Sequence, residues 1–241
     1  MRLVALALAA LALAGCETTA EKSARLEREA KHHAIHASAV ASALQELASR
    51  PAGTHVRVTG STLLHNSEGT AAVVSLRNTT ARDLREVPIL LTVADSSGHS
   101  LYTNNAPGLS RTLTGIALLP AHASLSWIDD QLQAAGAPAH VTVKVGEGTP
   151  AGGGSGHVSV TGTLSEATAS GGTVEGTVTN GSSRPQRELV VYATAQRSGR
   201  AVAAGRAVLA EVAPGDSQHY QLFLIGNPSG ASLHLEAPPT S

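Results

Sequence analysis

The sequence predicts a mainly β protein: two tandem antiparallel β-sandwiches preceded by an N-terminal α-helix. Three observations carry this. Six residues recur almost unchanged 102 positions apart, "HVRVTG" at 55–60 and "HVSVTG" at 157–162. From about residue 53 onward, apolar and polar residues alternate with the period of half-buried strands. Before that point, "AEKSARLEREAKHHAIHASAVASALQELAS" is built from good helix formers and holds neither Gly nor Pro.

The N-terminus reads "MRLVALALAALALAGC". One Arg precedes an apolar run from Leu3 to Ala14, too short to span a bilayer, which takes about 20 residues. It fits the apolar stretch of a secretory signal. The last four residues, Leu13, Ala14, Gly15 and Cys16, resemble the lipobox of bacterial lipoproteins. That resemblance implies cleavage after residue 15, a diacylglycerol on the Cys16 sulfur and an acyl chain such as palmitate on the new amino terminus. Two or three acyl chains give stable membrane attachment, where one gives only reversible binding. Glu17, rather than Asp, follows the cysteine. By the same resemblance this places the protein on the outer membrane of a two-membrane bacterium, or the outer face of a single plasma membrane. Cys16 is the sole cysteine, so lipidation leaves no thiol chemistry. The processed chain has 241 − 15 = 226 residues, of which 16–19 form the lipidated terminus.

Residues 20–52 form the helical neck, ended by Pro51 and Gly53. Leu26, Ala30, His33, Ala37, Val40, Leu44 and Leu47 alternate spacings of four and three, a heptad seam. Two roles stay open for it: a spacer packed on the following domain, or weak self-association through residues 26–47. "KHHAIH" puts His32 and His36 on one helix face with His33 beside them. Two histidines at that spacing can share a metal, zinc first. The competing reading is a solvated histidine face.

The duplication fixes the rest. "AVVSLRN" ending at Asn78 matches "VEGTVTN" ending at Asn180, and Val87, Ile89, Leu91 and Val93 match Leu189, Val191, Ala193 and Ala195, all 102 apart. "LLP" ending at Pro120 matches "VAP" ending at Pro214, and Val141, Val143 and Val145 match Leu233, Leu235 and Ala237 at a shorter offset. Each copy holds six or seven short alternating runs. In the first they fall near 55–65, 70–78, 86–95, 98–103, 112–119, 122–129 and 139–146. "DSSG" at 95–98 and "RSG" at 197–199 supply hairpin turns. The hexapeptide is then the first strand of each copy, with two valines inward and a Gly bend at its end. Each copy reads as an immunoglobulin-like sandwich, 53–147 and 157–238. The Gly-rich stretch 148–156 links them, and 239–241 is a tail. "VSLRNTTARDLREVPILLTVADSSGHSLYT" is similar to the FxLYD-like domains of secreted and lipid-anchored bacterial proteins, although the name motif itself is absent. The resemblance implies a surface β-sandwich and carries no catalytic residues.

A net charge of −1 gives no basic field to attract nucleic acid. No nucleophile elbow, phosphate loop or zinc-protease motif occurs, so no catalytic residue and no cofactor beyond the lipid is expected. Asn78-Thr79-Thr80 and Asn180-Gly181-Ser182 fit the N-glycosylation pattern but read as turns. The first copy carries about eight extra residues within 102–115. Loops on a rigid sandwich often carry recognition, which makes Asn104, Asn105 and Arg111 candidate partner contacts. Trp127 is expected to fill the first core, or else to anchor a partner. Asp129 and Asp130 read as a solvated turn. The function expected is a lipid-anchored, non-catalytic binding or scaffold protein with an envelope protein as partner, acting through sandwich edges and loops. The other class considered is a metal-handling lipoprotein using the histidine-rich neck.

Overall fold

The structure is a computed structural model that describes residues 42–106, 108–134, 136–152 and 156–240. The signal, Cys16, the three neck histidines and most of the heptad seam lie outside the described residues. Residues 42–49 are helical. Leu44 and Leu47, the last two seam positions, are buried against Leu90. Lys144 Nζ donates to the carbonyls of Leu47 (3.3 Å) and Ala48 (2.8 Å), satisfying acceptors that a helix end leaves open. This end of the seam therefore faces the β body.

The rest is mainly β, with every strand pair antiparallel. The first half holds β1 (Val56–Asn66), β2 (Gly69–Asn78), β3 (Asp83–Ala94), β4 (Ser100–Thr103), β5 (Gly115–Leu119), β6 (Ser124–Asp129), β7 (His140–Val145) and β8 (Thr149–Ala151). The second holds β9 (Val158–Ala167), β10 (Gly171–Asn180), β11 (Gln186–Arg197), β12 (Arg200–Val212), β13 (Ser217–Gly226) and β14 (Ser232–Glu236). β1, β2 and β6 form one sheet of the first half. The other is built around β3, whose start lies between β5 and β8 and whose end lies between β4 and β7. In the second half the corresponding strands join into one sheet, ordered β14-β11-β12-β13-β10-β9. It is continuous because β12 runs unbroken for 13 residues and reaches β13 at Ala203–Gly226 and Ala204–Ile225. In the first half the equivalent chain is split into β4 and β5 by the extra loop. Thr149–Ala151, inside the stretch read as linker, pairs with β3. Thr240, in the predicted tail, donates its N–H to Gln186 Oε1 at 2.6 Å.

The repeat is visible in bonds as well as letters. Asn78 is fully buried; its Nδ2 lies 2.8 Å from Arg82 O and 3.1 Å from Leu119 O, and its Oδ1 accepts from Thr80 N at 2.9 Å and Thr80 Oγ1 at 2.8 Å. Asn180 is equally buried and makes the same set to Arg184 O, Val212 O, Ser182 N and Ser182 Oγ. The two glycosylation-like triplets are thus side-chain knots that tie a strand end to the next turn. The knots also correct the alignment. Leu119 corresponds to Val212, an offset of 93, so Pro120 matches Ala213 rather than Pro214. The loop insertion is then 102 − 93 = 9 residues. Glu86 and Glu188, again 102 apart, share a left-handed backbone (φ 50° and 48°) at a position where the pairing of β3 and β11 skips one residue.

The hexapeptide opens β1 and β9 but ends neither. β1 continues to Asn66, and Thr59 is an extra residue in its ladder. Such a bulge re-aims a strand. Val56 is buried, whereas Val58, expected inward, is 37% exposed.

Burial explains how the halves join. From Leu189 to Ala195 every residue of β11 is buried. Leu189, Val191, Ala193 and Ala195 face the second core. Their neighbours Val190 and Tyr192 belong to the cluster built around Trp127 and Ile128 of the first half. A strand apolar on both faces is one covered on both faces. The described residues accordingly pack as one compact unit.

Candidate functional site

A group of largely buried ionisable side chains lies where the two halves meet. Tyr192 pairs with Arg206 on one side and Glu236 on the other, so these three form a row across β12, β11 and β14. β6 lies against that row. Glu236 Oε2 accepts from Ser126 N at 2.8 Å. Arg206 reaches Asp130, which follows β6, twice: its N–H donates to Oδ2 at 2.9 Å and its Nε to Oδ1 at 3.1 Å. Its Nη1 donates to Thr112 Oγ1 at 3.0 Å. The Asp130 and Arg206 side chains are 14% and 3% exposed, so this ion pair is shielded from the solvent that weakens surface pairs.

Asp129 points the other way. It is fully buried, in phase with Trp127, and accepts from Tyr102 Oη (3.1 Å) on the opposing sheet and from Gln131 N (3.0 Å). Burial pushes its carboxyl up to about 6, against the pull of the Gln131 N–H, the Arg206 charge and the Tyr102 hydroxyl; the neighbouring Asp130 adds to the rise. Burial likewise raises the phenols of Tyr102 and Tyr192. The reading of Asp129 and Asp130 as a solvated turn is corrected: one ties the two sheets of the first half together, the other ties the halves together. Adjacent positions in a strand point to opposite faces, and here both faces are covered.

The inserted loop is anchored at both ends by buried residues, Asn104 and Thr112–Thr114, with exposed residues between them. Asn104 is fully buried. Its Oδ1 accepts from Leu91 N at 2.8 Å, and its Nδ2 donates to Ile89 O at 2.9 Å and Leu113 O at 2.8 Å. It holds the loop to β3 and is not presented to solvent, as a partner contact would require. A single 3-10 turn, Arg111–Leu113, is capped by Ser110, whose Oγ accepts from Thr112 N. That turn aims Thr112 at Arg206 of the second half. Arg111 forms a partly exposed pair with Glu86 at 3.1 Å, and Asn105 is exposed. Trp127 is fully buried in the first core, and its Nε1 donates to Thr112 O at 3.3 Å. Of the four predicted partner-contact residues, Asn104 and Trp127 are structural, and Asn105 and Arg111 remain on the surface. Sequence reading missed Arg206 and Thr112. The apolar, off-phase Val190 and Tyr192 were the available signal that β11 has a second covered face.

A shallow groove of about 180 Å³ opens between Leu119–Leu125 and the Pro238-Pro239 segment. Among the described residues no three His, Cys, Asp or Glu side chains converge on one point, and no helix is long and apolar enough to cross a membrane.

The outer faces of the two halves differ. In the first half Ala71, Val73 and Ile128 are buried. At the corresponding positions of the second half stand Thr173, Glu175 and Gln221, the last two hydrogen-bonded at 2.9 Å. Phe223, 66% exposed, is the one large aromatic on that face.

No family model matches the chain. No curated protein matches it either. Among solved structures it is similar to an exo-chitosanase of Amycolatopsis orientalis, at 12% identity and a TM-score of 0.26 over 73% of this chain and 25% of that one. It is also similar to a red sea bream transglutaminase, at 15% identity and a TM-score of 0.22 over 76% of this chain and 29% of that one. The chain thus spans under a third of the length of either.

Proposed function

We propose that the protein is a lipid-anchored, non-catalytic binding or scaffold module of the bacterial cell envelope, made of two FxLYD-like, immunoglobulin-like sandwiches locked into one body. The observation that carries this is the N-terminal "LAGC" with the only cysteine of the chain at position 16. The junction supports it from the other end. Its Arg206 and Asp130 are committed to each other and its Glu236 to Ser126 N, which suits a rigid spacer, and the helix end at 42–49 is fastened to the same body. Partner contact then falls to sheet edges and exposed loop residues such as Asn105 and Arg111.

Metabolic labelling with a clickable palmitate analogue, followed by membrane fractionation, tests the anchor. Wild type is expected labelled and in the membrane fraction, and Cys16→Ser unlabelled and released. Label retained by Cys16→Ser sinks the anchor. Photo-cross-linking in intact cells from positions 105 and 111 tests the binding role. One envelope protein captured from these sites, and not from exposed Gln221 on the polar face of the second half, is the expected result; the same proteins captured from all three sites would overturn it.

A further inference from the structure

The end of the first core closes over an unbalanced set of charges. Two adjacent carboxylates on opposite faces of the strand end, Asp129 turned into the first core and Asp130 toward the second half, lie within electrostatic reach of a single guanidinium. Arg206 is committed to Asp130 through two donors and to Thr112 through a third. Among the described residues no cation is bonded to Asp129; its donors are the neutral Tyr102 hydroxyl and Gln131 N–H. The other ionisable groups of this set are Tyr102 from β4, Arg206 from β12 and Tyr192 from β11, with a third carboxylate, Glu236, beside Tyr192 on β14. A fully buried carboxylate held only by neutral donors is costly to keep charged, and the cost falls when a proton joins it.

We propose that Asp129 is a proton-operated clamp: the proton it takes from mildly acidic surroundings holds the two sheets of the first half closed and, through Asp130 and Arg206, tightens the junction with the second half. The protonated carboxyl keeps the Tyr102 link and removes the repulsion with Asp130. The sign follows from burial. The carboxyl sits above its ordinary value in the folded chain, at about 6. The stability its proton supplies is therefore fully present below the ordinary carboxylate range and is lost as pH rises through about 6. The carboxylates that sit below their ordinary range, Asp95 (through the His99 N–H) and Glu147 (through the Thr54 N–H), act at lower pH and with the opposite sign.

The test is denaturation of the full chain between pH 5 and 7.5, wild type against Asp129→Asn. A shift of about two pH units corresponds to roughly a hundredfold change in the folding constant. The expected result is that wild type gains about tenfold of that factor between pH 7.5 and pH 5 relative to the Asn variant, which carries every other ionisable group unchanged. Equal slopes for the two proteins overturn the proposal. Should Asp129→Asn not fold, the Asp129 carboxyl carbon resonance of wild type decides. A midpoint near 6 is expected, and a midpoint near 4 overturns the clamp.

Discussion

Replacing Asn78 by Ala is expected to destabilise the chain by about 4 kcal/mol, and replacing Asn180 by Ala by a similar amount. Each side chain is fully buried and makes at least four hydrogen bonds, two as donor and two as acceptor. A typical bond contributes about 1 kcal/mol net, and a buried carbonyl left without a donor costs about 1–3 kcal/mol. In the first half that orphan is Leu119 O, and in the second Val212 O. Asn→Asp at the same sites keeps the shape but turns two donors into acceptors facing carbonyl oxygens, so its loss is expected to equal or exceed that of Ala. Urea denaturation followed by far-UV circular dichroism measures the change; the midpoint should fall with the slope unchanged. A loss below about 1 kcal/mol at either site, the worth of one bond, would refute the knots. A large loss at one Asn and none at the other would refute their equivalence, and with it the structural argument for duplication.

Two further tests address packing. A Cβ on Gly162 would stand 2.5 Å from Tyr220 Oη, whereas one on Gly60 meets nothing within 4 Å, so Gly162→Val is expected to cost several times more in thermal stability than Gly60→Val; equal effects would show that the repeated glycine has one role in both strands. Arg206→Met leaves Asp130 buried without its cation and is expected to cost about 3–5 kcal/mol, with Asp130→Asn in the same chain restoring most of it. A double variant no better than the single one removes the ion pair as the fastening between halves.

Much of this fold is local and therefore legible in the letters. Period-two alternation placed the strands of the first half within a few residues of β1 to β7, because a pleated strand sends neighbours to opposite faces whatever lies beyond. The turns at 95–98 and 197–199 followed from the conformational freedom of Asp, Ser and Gly. Asp95 indeed accepts from Ser97 N and His99 N there. The recurrence of Asn78 and Asn180 marked a turn, although only the structure shows that a buried carboxamide ties it to a strand 41 residues away in the first copy.

The candidate site was less legible, and the reason is which surfaces are covered. Alternation tells that one face of a strand is apolar. It does not tell what lies on the other. Asp129 and Asp130 have the composition of a surface turn, and they are withdrawn from solvent because the opposing sheet of the first half covers one and the second half covers the other. Asn104 has the composition of a recognition loop, and its amide is consumed because β3 passes beside it. The sequence alone determined the repeat, the strand phase, the turn chemistry and the one cysteine available for a lipid. Tertiary structure decided which polar side chains lie in the interior, since burial and charge pairing depend on segments far apart in the chain meeting in space.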